Sequence, residues 1–202
     1  MKKILLTILC LAVAFGASAK FRVGPTVGAN FSTLNWKQKL FPSTMLPGYN
    51  AGVQCEVMIP GIGFGVDFGL KYVNQGGKCN FGDQFIWSSD GIGNTDLRLH
   101  TIQLPFDVRF KWTKMDGFEN YLAPYVFAGP QFNFNVASTK CEAVDKIGVS
   151  VGLQVGLGVE LYKRFQLSGG YVWGMSDAFR TKKLDDFNCH LNGWLVDFAV
   201  LF

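Results

Sequence analysis

The feature that most constrains the fold is a strict alternation of residue types from residue 147 to residue 161. In this segment, IGVSVGLQVGLGVEL, every odd-numbered position is apolar and every even-numbered position is Gly, Ser, Gln or Glu. A period of two residues is typical of a β-strand with one apolar and one polar face. An average strand has about five or six residues, whereas a tilted strand needs about 9–11 to cross a bilayer. The segment is therefore long enough for a membrane strand.

The same alternation recurs along the chain and predicts eight strands. They cover residues 21–31, 49–59, 62–72, 102–112, 122–134, 147–161, 165–173 and 194–202. The connections alternate between short turns and longer polar loops. The turns are at residues 60–61, 115–120 and 162–164, and the loops are at 36–48, 80–96, 139–146 and 177–189. This alternation is typical of an outer-membrane barrel, and an even strand number puts both termini on the short-turn, periplasmic side.

Two folds are compatible with the alternation. A soluble barrel of the lipocalin type would turn the apolar face inward, and a membrane barrel turns it outward. Large aromatic residues occupy the apolar face, but the interior of an eight-stranded barrel has room only for packed side chains. The sequence therefore predicts an all-β fold: a closed antiparallel eight-stranded transmembrane β-barrel, an up-and-down meander. Its predicted polar lumen network consists of Arg22, Glu56, Asp67, Lys71, Asp107, Arg109, Lys111, Glu160 and Asp197.

Aromatic residues near the strand ends predict two interfacial girdles. One girdle comprises Phe21, Trp112, Phe165 and Phe202, and the other comprises Tyr49, Tyr72, Trp173 and Trp194. The glycines of the sixth predicted strand, Gly152, Gly156 and Gly158, should face the lumen and leave space for larger neighbours such as Arg109. One aromatic, Phe127, falls on the polar face of the fifth predicted strand and does not fit the pattern.

The first 19 residues have the features of a cleaved secretory signal peptide. A basic start is followed by an apolar stretch and by Ala17-Ser18-Ala19, and the apolar stretch is too short to span a bilayer as a helix. We expect a mature barrel domain of residues 20–202. Export leads to an oxidising compartment, and the sequence leaves open whether two of Cys79, Cys141 and Cys189, in or beside long loops, form a disulfide. Cys55 is expected on the lipid-facing side as an apolar filler.

No residue pattern indicates an enzyme. Asp185, Asp186 and His190 combine acids with a histidine, but they are expected in a solvated loop. The serine, histidine and aspartate residues form no nucleophile motif, and the Gly-rich segment 61–65 lacks the strand–turn–helix context of a phosphate loop. We expect no catalytic residues, no cofactor and no metal. The net charge of +4 without a basic block also gives no support for nucleic-acid binding.

The mature chain resembles the PorT-like outer-membrane β-barrel family of Bacteroidetes-type bacteria. The resemblance lies in the signal peptide and in the segments FRVGPTVGANFS, APYVFAGPQFNF and the terminal WLVDFAVLF. In related barrels an aromatic C-terminal strand is part of the signal that the barrel-assembly machinery reads. The resemblance therefore implies that Trp194, Phe198 and Phe202 play this role.

Three functions are compatible with the sequence. The first is a non-enzymatic barrel of the cell outer membrane with a structural, surface-displaying or interaction role and a side-chain-filled lumen. Its partners would be outer-membrane lipid, the assembly machinery and an envelope or surface protein. The second is a narrow porin-like pore or a proton or ion path, and the third is a soluble lipocalin-like carrier.

Overall fold

A single antiparallel sheet closes on itself to form a barrel. The computed structural model describes residues 20–36, 43–80, 94–113, 115, 117–139, 144–181 and 188–202. Eight long strands pair in the order β1-β2-β3-β4-β5-β7-β8-β10, and β10 returns to pair with β1. In the closing pair Val27 lies opposite Phe198, and Phe31 lies opposite Trp194. The predicted closed eight-stranded antiparallel barrel is confirmed.

The barrel strands extend further than the alternating pattern predicts, mostly at the end that carries the long connections. The strands are β1 Lys20–Trp36, β2 Ser43–Met58, β3 Phe64–Asn80, β4 Asn94–Lys111, β5 Leu122–Ser138, β6 Val144–Lys146, β7 Val149–Leu161, β8 Phe165–Gly174, β9 Asp177–Thr181 and β10 Asn188–Val200. We call this end the loop end, and the opposite end, with the connections 59–63, 112–121 and 162–164, the turn end. The extra residues pair with neighbouring backbones although the apolar stripe has ended.

Two short strands lie within segments that the sequence predicted as loops. β9 pairs with the loop-end part of β10, and β6 pairs with β9. The prediction of plain loops at 139–146 and 177–189 is wrong in these parts, because three to five residues are too few to reveal a period of two.

The apolar and polar faces point as a membrane barrel requires. Val27, Leu70 and Leu157 on the outer surface have 54%, 54% and 68% of their area exposed, whereas Glu56 and Arg109 inside have 0% and 1%. The alternative of a soluble carrier with the apolar face inward is wrong. The membrane-spanning segments lie between the two aromatic girdles, whose eight side chains are all exposed on the outer surface. Among the described residues, no helix has the length and apolar character needed to cross a membrane.

The turn end is closed by tight connections. Gly61, Gly63 and Gly117 adopt positive φ angles of 84°, 81° and 93°, which glycine tolerates without steric cost. In the connection before β5, a single 3-10 turn (Phe118–Asn120) brings the Glu119 carboxylate within 3.1 and 3.0 Å of the amides of Met115 and Gly117. Hydrogen bonds from backbone amides, including its own, lower the pKa of the Glu119 carboxyl below its usual value.

Candidate functional site in the barrel lumen

Glu56 is the centre of an ion-pair cluster near the turn end of the lumen. Its carboxylate accepts hydrogen bonds from the Arg22 and Arg109 guanidiniums, and Lys111 Nζ lies 3.0 Å from Oε1. The Gln166 amide also donates to Oε2, at 2.5 Å. These partners point inward from β1, β4 and β8 and converge on the Glu56 carboxylate of β2. Three cations around a fully buried anion offset its loss of hydration.

Glu160 on β7 is the second acid of this cluster. One of its oxygens lies 2.5 Å from the Arg22 guanidinium, 2.7 Å from Lys111 Nζ and 2.8 Å from the Gln166 amide nitrogen. Arg22 and Lys111 therefore bridge Glu56 and Glu160 across the barrel. Because four strands meet in this cluster, it ties opposite walls together at the turn end.

A separate ion pair lies nearer the middle of the lumen. Lys71 Nζ is 2.6 Å from one oxygen of Asp197, and the Asn50 amide donates to the other oxygen at 2.8 Å. Lys71 and Asp197 lie on β3 and β10, so the pair also crosses the lumen. All nine residues of the predicted lumen network point inward, and seven ion pairs link eight of them.

Two acids in the lumen lie side by side. Asp67 and Asp107 are directly opposite each other in the β3–β4 register, and both are at least 95% buried. Asp67 lies 2.5 Å from the Arg109 guanidinium, whereas Asp107 accepts a hydrogen bond of 2.5 Å from the Gln154 amide. The second carboxylate oxygen of each has no partner within the described residues. Asp107 is thus the one member of the network without an ion pair in the described structure.

The side chains fill the lumen almost completely. Amide side chains extend the packing towards the loop end; Gln103, for example, donates to Gln131 at 2.5 Å. Between the charged and amide groups remain two cavities of about 30 and 20 Å³, each large enough for one or two water molecules. At the turn end a vestibule of about 430 Å³ stops at the Arg22–Glu56–Lys111–Glu160 cluster. Neither cavity is lined by Arg22, Lys111 or Glu160, so the cluster lies between these cavities and the vestibule.

Two aromatic side chains also occupy the lumen, contrary to the expectation that only glycine and polar groups would fit. Tyr125 and Phe127 on β5 are 1% and 7% exposed. A Cβ atom on Gly156 would overlap the Phe127 ring, and one on Gly158 would overlap the Tyr125 ring. The predicted inward direction of these glycines agrees with the structure, but the space they leave holds the two rings rather than Arg109. Arg109 instead stacks on Tyr125, with its guanidinium carbon 3.9 Å from the ring centre.

An apolar core closes the loop end of the barrel interior, and the sequence analysis missed it. This loop-end core consists of Leu34, Trp36, Cys79, Leu97, Leu99, Ala178, Phe179, Cys189 and Leu191. These residues continue the inward-facing positions of the strands beyond the predicted strand ends. The sequence does contain a signal for this core, because the alternation of β1 continues through Ser32, Leu34 and Trp36. There, however, the apolar residues Leu34 and Trp36 lie on the inward face and not on the lipid-facing one.

Cys79 and Cys189 lie beside long connections, as predicted, but on the strands β3 and β10, and their side chains are part of this core. Both are completely buried, and together with half-buried Cys55 they are free thiols in the structure, whereas Cys141 is outside the described residues. The two buried thiols lie beyond the loop-end girdle. Burial raises the pKa of the Cys79 thiol and raises that of Cys189 to about 12, so both are protonated at neutral pH and are poor nucleophiles.

Comparison with known families identifies the class of this barrel. A family model described as "Outer membrane protein beta-barrel domain" matches residues 15–180. The chain belongs to this family. Membership in this family confirms the predicted location in the outer membrane, where lipid surrounds the barrel. No match was found among curated protein sequences.

Solved structures similar to this chain include three bacterial proteins. The present chain is 11% identical to the outer membrane protein OprG from Pseudomonas aeruginosa, over 92% of this chain and 96% of OprG, with a TM-score of 0.51. It is 15% identical to Neisserial surface protein A, over 91% and 99% of the two chains, with a TM-score of 0.49. For Ail, the attachment invasion locus protein of Yersinia pestis, the identity is 14%, the coverage 91% and 99%, and the TM-score 0.48. The likeness to OprG concerns the fold alone.

Only part of the acid and histidine group near the loop end falls within the described residues. Asp185 and Asp186 lie outside the described residues, and His190 Nε2 is 3.5 Å from Asp177 Oδ1. Within the described parts of this outer-membrane barrel, no three His, Cys, Asp or Glu side chains come together to hold a metal ion. Ion pairing and close packing are the chemistry that the lumen geometry supports.

Proposed function

We propose that this barrel is a non-enzymatic outer-membrane protein with a structural or surface-displaying role, and that it does not conduct ions. The filled lumen carries this proposal. Glu56 is held by Arg22, Arg109 and Lys111, and the cavities above it hold only a few water molecules. An ion entering from the vestibule would have to break several buried ion pairs at once.

The proposal is tested by conductance in planar bilayers. The purified wild-type barrel should give no steady ion current. A double variant, Glu56→Ala with Arg109→Ala, removes an acid and a base together, so it opens the centre of the cluster without changing the net charge. The variant should conduct measurably, which shows that the assay detects an open barrel of this size. Steady currents from the wild-type protein would support the narrow-pore alternative instead.

The proposed orientation places both termini and the turn end in the periplasm and the loop end at the cell surface. The alternation of short turns and long loops supports it. A protease site inserted at residue 140 should be cut on intact cells, and one inserted at residue 116 should be protected. Cleavage at residue 116 on intact cells would reverse the orientation.

We also propose that the aromatic stripe of β10 acts as an assembly signal, as the PorT-like resemblance implies. Trp194, Phe198 and Phe202 are 53%, 41% and 72% exposed on the outer surface. The Phe202 backbone exchanges hydrogen bonds of 3.0 and 3.2 Å with Val23, so its chain position is fixed while its ring is free. Recognition by the assembly machinery would need such accessible rings before insertion.

Deleting Phe202 separates an assembly role from a structural one. The deletion should sharply lower the protein level in the outer membrane, yet the purified chain should still refold from urea into thin bilayers. The lost ring contributes only roughly 1–3 kcal/mol to stability, the range for one large apolar side chain. Replacing Phe165, whose ring stacks on Phe198 at 6.2 Å, with Ala is the matched control, because it removes an aromatic ring at the same level outside β10. Equal loss in both variants would contradict the assembly role.

A further inference from the structure

A group of polar and aromatic side chains lies on the outer wall at the loop-end parts of β2, β3 and β4. We call this group the exterior patch; it consists of Tyr49, Tyr72, Asn74, Lys78, Arg98 and His100. These residues continue the lipid-facing positions of their strands. Tyr49, Tyr72 and Lys78 are exposed, Arg98 and His100 are half-buried, and Asn74 is buried, with 5% of its area exposed. Elsewhere beyond the loop-end girdle, the described exposed side chains include apolar groups such as Val136, Val149 and Met175 and polar groups such as Asn35 and Lys146. The patch differs in having two cationic side chains, Lys78 and Arg98, on the adjacent strands β3 and β4.

The part of the patch next to the girdle lies at the height of lipid headgroups. Tyr49 and Tyr72 belong to the loop-end girdle, and their ring centres are 6.3 Å apart. Asn74 is two residues beyond Tyr72 on β3 and pairs with His100 on β4, which places both about 7 Å further along the strand. Headgroup regions are about 5–8 Å thick on each side of the hydrocarbon core. The polar groups next to the girdle are thus within reach of headgroup phosphates.

Hydrogen bonds hold the patch in one arrangement. Arg98 donates from one terminal nitrogen to Asn74 Oδ1 at 3.1 Å and to the Pro47 carbonyl at 3.3 Å. Tyr72 Oη lies 2.5 Å from His100 Nδ1, and the Asn74 amide nitrogen lies 3.5 Å from the same atom. An amide nitrogen can only donate, so the neutral imidazole accepts at Nδ1 and carries its proton on Nε2.

The remaining donors suit an anion. Within the described residues, the second terminal nitrogen and the Nε–H of Arg98 have no acceptor, and His100 presents Nε2–H. The exposed ammonium of Lys78 adds a second full positive charge, while the carboxylate of Asp96 lies opposite Lys78 in the register. The patch keeps one positive charge in excess. A guanidinium held in place next to other donors is well suited to a phosphate group.

We propose that the exterior patch binds the phosphorylated headgroup of a lipid in the membrane around the barrel. The occupant is a lipid because the donors lie on the outer wall directly above the apolar stripe, so acyl chains can pack on Leu70 and Ile102 while the phosphate meets Arg98. Basic residues near a membrane surface attract anionic lipids. The assignment of this lipid to the outer leaflet rests on the orientation proposed above. Binding in symmetric vesicles does not depend on orientation, so a failure of lipid binding can be told apart from a wrong orientation.

The test uses the full barrel in phosphatidylcholine vesicles doped with a phosphorylated lipid A or with its dephosphorylated form. The wild-type barrel should enrich the phosphorylated form among its retained lipids, as measured by native mass spectrometry, and should not enrich the dephosphorylated form. The double variant Arg98→Gln with Lys78→Gln should lose about fivefold in relative affinity for each charge removed, roughly 25-fold in total. Arg98→Lys with Lys78→Arg keeps both charges and should retain most of the enrichment.

A matched control removes one lysine and one arginine at the other end of the barrel. Lys163→Gln with Arg164→Gln changes two exposed residues of the β7–β8 turn and should leave the enrichment unchanged. Circular dichroism of every variant checks that the barrel is folded. Equal enrichment in wild type and the Arg98/Lys78 variant, or equal enrichment of the dephosphorylated lipid, would overturn the proposal. Binding of free inorganic phosphate to the detergent-solubilised barrel at this patch, without binding of the lipid, would also overturn it. So would a variant that loses self-association of the barrel but keeps the lipid enrichment.

Discussion

The two ends of the barrel interior are filled in opposite ways. Towards the turn end, the fully buried Glu56 is surrounded by Arg22, Arg109 and Lys111. At the loop end, Leu97 and Leu99 are completely buried in the loop-end core. The ion-pair cluster depends on every partner, because a buried charge without its counterion is costly. The stability of the loop-end core depends on close packing, because a smaller side chain leaves an empty volume that lowers stability.

The largest expected effect is that of Glu56→Gln. This change keeps the size of the side chain but removes the charge that three buried cations share. The free energy of unfolding should fall by about 3–5 kcal/mol, as measured by urea unfolding of the barrel from vesicles. A loss below about 1 kcal/mol would mean that water reaches the cluster from the vestibule and hydrates the cations.

Leu99→Ala tests the other side of the comparison. Leu99 is 0% exposed in the loop-end core, and its truncation should cost about 3 kcal/mol through lost burial and a cavity. Leu70→Ala, on the lipid-facing surface at 54% exposure, is the control and should cost less because lipid chains fill the space. If both variants lost the same stability, the loop-end core would not be tightly packed.

Gly156→Phe probes the boundary between the two regions, where aromatic rings enter the lumen. The new side chain would collide with the Phe127 ring and with the Gly169 carbonyl, which should cost about 1–3 kcal/mol through overpacking. Gly148→Phe is the control, since a Cβ atom there meets nothing within 4 Å. Adding Phe127→Ala to the Gly156→Phe chain should restore part of the stability; no recovery would point to a clash with the backbone instead.

Asp107→Asn should have the smallest effect, although it is the same chemical change as Glu56→Gln. Asp107 faces the like charge of Asp67 and is held by the Gln154 amide, to which an asparagine oxygen can still act as acceptor. The stability should change by less than about 1 kcal/mol in the same urea assay. A loss as large as that of Glu56→Gln would show that the total charge of the lumen, and not its pairing, decides stability.

Much of the fold was predictable from local patterns. The period of two predicted the eight barrel strands and the faces of their side chains, because neighbouring residues of a strand must point to opposite faces. The aromatic apolar face decided between the two barrel types, because an eight-stranded lumen cannot hold that many large rings. The same reasoning was too strict for Tyr125 and Phe127, which fit because Gly158 and Gly156 lie opposite them on β7.

By itself, the sequence determined that the chain forms a closed membrane barrel and which of its charged residues point inward, since both depend on alternation along single strands. Only the tertiary structure decided which charges pair, since Arg22, Glu56 and Glu160 come together through strand register across the barrel. It also decided that the loop-end strands bury an apolar core where loops were expected. Contacts between distant strands depend on stagger and curvature, and no single strand carries that information.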